Sequence, residues 1–256
     1  MIVFESQCIH MINFSRHLPG FQSIETVADR VILAVNAFYP LMMATLSLEY
    51  DISSLETARP FFLNGVTYDK AVEMFPQARS YLNGVKQHFI DSGVAVKSAN
   101  LTFVEFGFLC ALIYFNSNLD GLQDRASVGR VAAQLQVSAD FFIRSRFDTT
   151  AQSYDNAEVR ISTLQQLIVH FKNVNNAHNW MAADFLNSCP VLVESSGEIF
   201  KEMYNRVFVH LIPALKQNNN HNHNHNYNQK PSTSSSWSPP PPPPPPPPQP
   251  QPQPPC

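Results

Sequence analysis

Neither proline nor glycine interrupts the chain between Asp155 and Leu186. The apolar residues Ile161, Leu164, Leu167, Ile168, Phe171, Val174, Met181 and Phe185 step along it by threes and fours. That spacing puts them on one stripe of a long helix. A stripe of this length must be buried against several other elements, so it constrains the fold more than any other feature. His178 falls inside the stripe, between Val174 and Met181. A buried ionisable ring needs a hydrogen-bond partner or a chemical task.

The rest of the chain reads as helices around that one. Apolar spacing from Phe4 to Leu18 predicts a helix that stops at Pro19-Gly20. Phe21 to Leu48 is apolar on all sides, which suits the centre of a domain, with Pro40 kinking or dividing it. Phe61 to Tyr68, with Asn64-Gly65 between β-formers, is the one β-hairpin signal. Helical spacing resumes from Asp69 to Gly93, with Pro76 separating two pieces. Thr102 and Glu105 stand in capping-box register at the head of a helix reaching Phe115. Gln123 to Phe147 and Val191 to Leu215 read as two more. The expectation is an all-α domain of roughly eight or more helices with one small β element.

Composition limits what such a domain can do. Hydrophobic residues make up 44% of the chain, enough for a sizeable core in residues 1–216. From Gln217 to Cys256 the residues are almost all Asn, His, Ser, Gln and Pro. That stretch cannot bury enough apolar surface to offset its ordering entropy, so a disordered tail is expected. The 17 basic and 20 acidic residues form no basic stripe, which argues against direct nucleic-acid contact. Cys8, Cys110, Cys189 and Cys256 lack C-x-x-C spacing. This disfavours a zinc module or disulfide scaffold and fits a reducing, intracellular location. The N-terminus has no basic region followed by an apolar one, so no signal peptide is expected. Leu101 to Phe115, the most apolar run, is too short to cross a bilayer and carries Glu105. No G-x-S-x-G, H-E-x-x-H or glycine-rich phosphate loop occurs, and the chain reads as a non-enzyme.

Three stretches together resemble the ligand-binding domain of the nuclear hormone receptors. Phe14-Ser-Arg-His-Leu-Pro-Gly-Phe21 with Asp29-Arg-Val-Ile-Leu33 is similar to the signature F-A-K-x-[IL]-P-G-F…D-Q-V-x-L-L of the third to fifth helices. Phe61-Phe-Leu-Asn-Gly65 with Tyr68 resembles the short β-turn after the fifth helix. Leu101-Thr-Phe-Val-Glu105, then Asn118-Leu-Asp-Gly-Leu122, looks like the L-[ST]-x-x-E helix and its following turn. Within the family, Arg160 to Leu164, Leu167, and Phe171-Lys-Asn-Val-Asn-Asn-Ala-His178 are similar to the R-x-x-x-L…L-R-x-L-N-N-M-H of the Rev-erb receptors and their insect ecdysone-inducible relatives. The likeness covers about residues 4 to 187.

The resemblance implies a three-layer α-helical sandwich, a nuclear location and ligand-regulated transcription. It implies that His178 is an axial ligand to haem iron. The alternative is a core histidine held by a hydrogen bond or at a helix-packing interface. The family's second ligand is a cysteine upstream of the third helix, for which Cys8 is a weak substitute. Arg16 matches a lysine that grips one end of a coregulator helix. Ile199-Phe-Lys-Glu-Met-Tyr204 has the form of the family's activation helix, with Glu202 gripping the other end. That form equally fits an ordinary amphipathic helix. Val35 stands where a lysine is common in that groove. Asp29 matches an acidic residue of structural role. The long helix, residues 155–186, can serve as a homo- or heterodimer face. Zinc belongs only to a DNA-binding domain that this chain does not contain, so the chain reads as a fragment or an isoform. Corepressors are the expected coregulators, although an activation helix would put pure repression in doubt. The rival class is a ligand-free helical scaffold whose cavity is filled by its own side chains, acting through dimerisation or its proline tail.

Two tail features stand outside the resemblance. His221, His223 and His225 alternate with Asn and could hold zinc or nickel weakly, or form a solvated spacer. Pro239 to Pro248 is unbroken proline, suited to polyproline II and to SH3, WW or profilin-type grooves, or simply to a stiff tail.

Overall fold

The computed structural model describes residues 2–49, 72–73, 76–147 and 151–194, together with 198, 201, 205 and 211. These residues are almost entirely helical, and no strand occurs among them. The expected hairpin at Phe61–Tyr68, the histidines at 221, 223 and 225 and the proline run lie outside the described residues.

The helices are α1 (Ile2–His17), α2 (Val27–Glu49), α3 (Arg79–Ala99), α4 (Phe103–Tyr114), α5 (Arg125–Ser145), α6 (Ala151–Ser188) and the short α7 (Pro190–Glu194). Short 3-10 turns at Phe21–Ser23 and Pro76–Ala78 precede α2 and α3. Pro76 therefore opens the turn before α3, and that helix runs past Gly93 to Ala99. Within the predicted helix from Val191 to Leu215 the described residues 191–194, 198 and 201 are α-helical, 205 lies in a π-helical turn and Leu211 stands in a turn.

Two helices organise the rest. α2 packs against α1, α3, α4 and α6, and α6 packs against α2, α3, α4, α5 and α7. The stripe of α6 is buried as its spacing predicts, with Leu164 and Phe171 fully buried and Ile161, Leu167, Ile168 and Val174 nearly so. Each such side chain contributes about 1.5–3 kcal/mol by leaving water. The apolar α2 is the central helix, with Leu33, Leu41, Met43 and Ala44 buried. Ser47, fully buried, donates to the Met43 carbonyl at 2.6 Å, so its hydroxyl is not stranded.

Pro40 does not divide α2, which continues through it from Val27 to Glu49. Proline in a helix interior costs about 3 kcal/mol or more. The burial of the flanking turns against four neighbouring helices outweighs that cost. Among the described residues, Val27–Leu48, and not Leu101–Phe115, is long and apolar enough to cross a membrane by length and composition. About half of it is buried against other helices of the domain.

Local sequence ends and joins these helices. Gly20 has φ +85°, a left-handed turn that ends the first helical segment, and a Cβ there would stand 2.5 Å from Val131 Cγ1. Gly20→Ala should therefore cost about 2 kcal/mol or more, through left-handed strain and overlap with Val131 together. Chemical denaturation measures it, and an unchanged midpoint would contradict this account of the turn. At α4 the Thr102 side chain accepts the Glu105 N–H at 3.4 Å while Glu105 Oε2 accepts the Thr102 N–H at 2.7 Å. The capping box is thus formed as expected.

Candidate functional site

Asp29 is fully buried at the start of α2. Its two carboxylate oxygens accept the backbone N–H groups of Gln123 at 2.7 Å and Asp124 at 2.9 Å. Burial alone works against the charged form, but those two N–H groups outweigh it and hold the carboxyl below its usual range. Asp124 in turn caps α5 by accepting the Ser127 N–H at 2.9 Å. Asp29 thus fastens α2 to the start of α5, the structural role the sequence assigned it.

Glu105 is the second buried carboxylate. Arg160 donates to it from Nε at 2.9 Å and from Nη2 at 2.7 Å, a two-pronged ion pair. Arg160 also donates to the carbonyls of Ala99 and Asn100, the C-terminus of α3. One guanidinium therefore gathers the end of α3, the start of α4 and the body of α6. Burial opposes the Glu105 charge, but Arg160 and the Thr102 cap overcome it and bring the carboxyl down to about 2. The sequence offered Glu105 and Arg160 in separate motifs. The structure joins them.

His178 faces inward, as the stripe requires, and is 9% exposed. It meets side chains. The Tyr39 ring of α2 lies flat on it, with centroids 3.5 Å apart and planes 12° from parallel. Its Nε2 shares a hydrogen bond with the Tyr81 hydroxyl of α3 at 3.0 Å. Burial, with a smaller push from His88, drives the imidazole down to about 3, so the ring is neutral near pH 7. Two further contacts of this kind flank it. Tyr39 shares a hydrogen bond with His88 Nδ1 at 3.1 Å, and Ser92 with His170 Nε2 at 3.2 Å. Tyr81, His88 and Ser92 lie on one face of α3, so hydroxyl–imidazole pairs fasten that helix to α2 and α6. Sequence reasoning missed Tyr39, Tyr81, His88 and His170.

These residues do not fit a haem on His178. One face of the imidazole is covered by Tyr39, and Nε2 is engaged by Tyr81. Nearby, α3 approaches α6 so closely that a Cβ on Gly84 would overlap the Met181 thioether. Cys8 lies on α1, and its side chain is outside the described residues. No group of three potential metal ligands occurs among the described residues. Cys110 is buried, which pushes its thiol up to about 12 and leaves it un-ionised.

Arg16 is exposed near the end of α1. Ile9 and Ile12, 50% and 38% exposed, share its helix face. Phe38 of α2 packs with Met11, Val35 and Met42 in a small apolar cluster. Glu202, the expected opposite clamp, lies outside the described residues, as do Ile199, Phe200, Met203 and Tyr204.

No family model matches the sequence, and no curated protein matches it.

Proposed function

We propose that this chain is a transcription-regulating domain of the nuclear-receptor ligand-binding type that works through protein contacts, its centre filled by its own side chains. The Tyr39–His178–Tyr81 arrangement carries the second half of that reading. It occupies the histidine that the Rev-erb resemblance assigns to haem, and so favours the ligand-free scaffold over a haem-regulated receptor. The first half is supported by how the signature stretches meet: Asp29 joins the turn after Leu122, and Glu105 joins Arg160.

The partners follow from the surface. At the α1 end, Arg16 with Ile9 and Ile12 suits the C-terminus of an amphipathic coregulator helix, cationic at one end and apolar beside it. On α6, the exposed positions from Val159 to Trp180 are Val, Ser, Gln, Asn, Ala and Trp, with no charge among them. Val159, Val169 and Trp180 are 57%, 56% and 40% exposed. That uncharged face suits a second copy of this chain or a related domain. The proline run is a further docking element for aromatic grooves, and the nucleus is the location this reading requires.

Haemin titration followed by absorption tests the filled centre. The expected outcome is the same weak, unsaturated Soret change in the native chain and in His178→Ala. A saturable band lost in His178→Ala would restore the haem-receptor reading. Light scattering tests the partner face. Val169→Glu is expected to shift the chain from dimer to monomer with its helical circular dichroism intact, and a chain that is monomeric without the substitution would overturn the dimer.

A further inference from the structure

A carbonyl inside a helix is paired with the N–H four residues further on. Pro40 has no N–H, so the Asn36 carbonyl of α2 loses that partner. Asn36 and Pro40 both line a cleft between α2, α6 and the turn after α4, which Lys172 and Asn175 of α6 line from the other side. Its free space is about 10 Å³, room for one water molecule. We infer that this cleft binds a single internal water, which donates to the Asn36 carbonyl, accepts from the Lys172 ammonium and takes the Asn175 carboxamide as its third partner.

The cleft offers polar groups of both kinds. Lys172 is half-buried and makes no ion pair or hydrogen bond among the described residues. Burial holds its ammonium below the usual lysine value. Asn175 is 7% exposed, and its carboxamide also makes no hydrogen bond among the described residues. Asn36 Nδ2 is already given to the Ile32 carbonyl at 2.9 Å, so that side chain is not the missing donor. An anion here would meet the Asn36 carbonyl and the negative end of the α4 dipole. A metal cation would meet the Lys172 ammonium. A neutral group that both donates and accepts suits the set, and the space admits nothing larger than water. Buried waters hold about three hydrogen bonds, as many as the partners available here. The water therefore carries α2 across Pro40 and ties it to one turn of α6, which gives Lys172 and Asn175 a shared role. The site is separate from the His178 cluster and does not depend on the proposed function.

Magnetic relaxation dispersion of the water oxygen counts long-lived internal waters in the full chain. The native protein is expected to exceed Asn175→Leu by one such water, because the leucine removes a polar partner and fills the space. Equal amplitudes in the two proteins overturn the site. Nuclear Overhauser transfer from water to the Asn175 side-chain amide is a second readout. It needs no substitution, so it decides the matter even if Asn175→Leu does not fold. Transfer with the sign of a water that tumbles with the protein is expected. Transfer that is absent, or that has the sign of fast-exchanging surface water, overturns the site.

Discussion

Arg160→Ala is expected to destabilise the fold by about 3–5 kcal/mol, the range for stranding one half of a buried ion pair. Glu105 is 1% exposed and would lose the guanidinium that offsets the cost of burying its charge. Arg146, 3.7 Å away and half-exposed, is too distant and too solvated to replace the guanidinium. The same substitution removes two donors from the carbonyls that end α3. For a domain of this size the loss corresponds to about 10 °C in the unfolding midpoint. The double change Glu105→Leu, Arg160→Met should recover much of it, since what costs most is the unpaired charge and not the missing pair. Thermal unfolding of the single and double variants decides. A midpoint within a degree or two of native in Arg160→Ala would mean that the pair contributes nothing.

The second large effect is acid sensitivity through His178. Its pKa is lowered by folding from 6.5 to about 3, because the buried neutral ring must take on a charge if it protonates. Above pH 6.5 both folded and unfolded states hold it neutral, and its contribution is fully present. As pH falls from 6.5 towards 3 the unfolded chain binds the proton and the folded one does not, so stability is lost, on the order of 5 kcal/mol in all. His88 and His170 are lowered in the same direction by burial, partly offset by Asp91, and add to the slope. Glu105 acts lower, its stabilisation present above 4.5 and lost as pH falls towards about 2. The slope between pH 6.5 and 4.5 therefore belongs to the histidines. Denaturant midpoints of native and His178→Phe chains across that window test the assignment. The variant should show the flatter curve, and parallel curves would remove His178 as the source.

Both effects rest on pairings that no local pattern could display. The stripe of α6, its inward-facing His178 and the Thr102–Glu105 cap were legible, because helical periodicity and capping depend on residues three or four apart. Asp29 was legible as a buried acceptor by its place in a motif. What His178 meets was not, since Tyr81 is 97 residues away in sequence. Helix packing selects such neighbours, and packing is a property of the whole chain. The survival of α2 through Pro40 is the same lesson with opposite sign. The local rule for proline is sound, and tertiary burial outweighs it. The hairpin at Phe61–Tyr68 and the clamp residue Glu202 fall outside the described residues.

The separation of these partners also bears on synthesis. Asp29 waits for Gln123, Glu105 for Arg160, and Tyr39 and Tyr81 for His178, which is carried by α6. A ribosome adding about 5–20 residues each second makes the gap between Tyr39 and His178 about ten seconds long. Until α6 leaves the exit tunnel, the earlier helices hold an unmatched carboxylate and an uncovered apolar face. Nascent chains stalled before residue 160 should accordingly be protease-sensitive and chaperone-bound, and the native core should close only when the helix that supplies both Arg160 and His178 arrives.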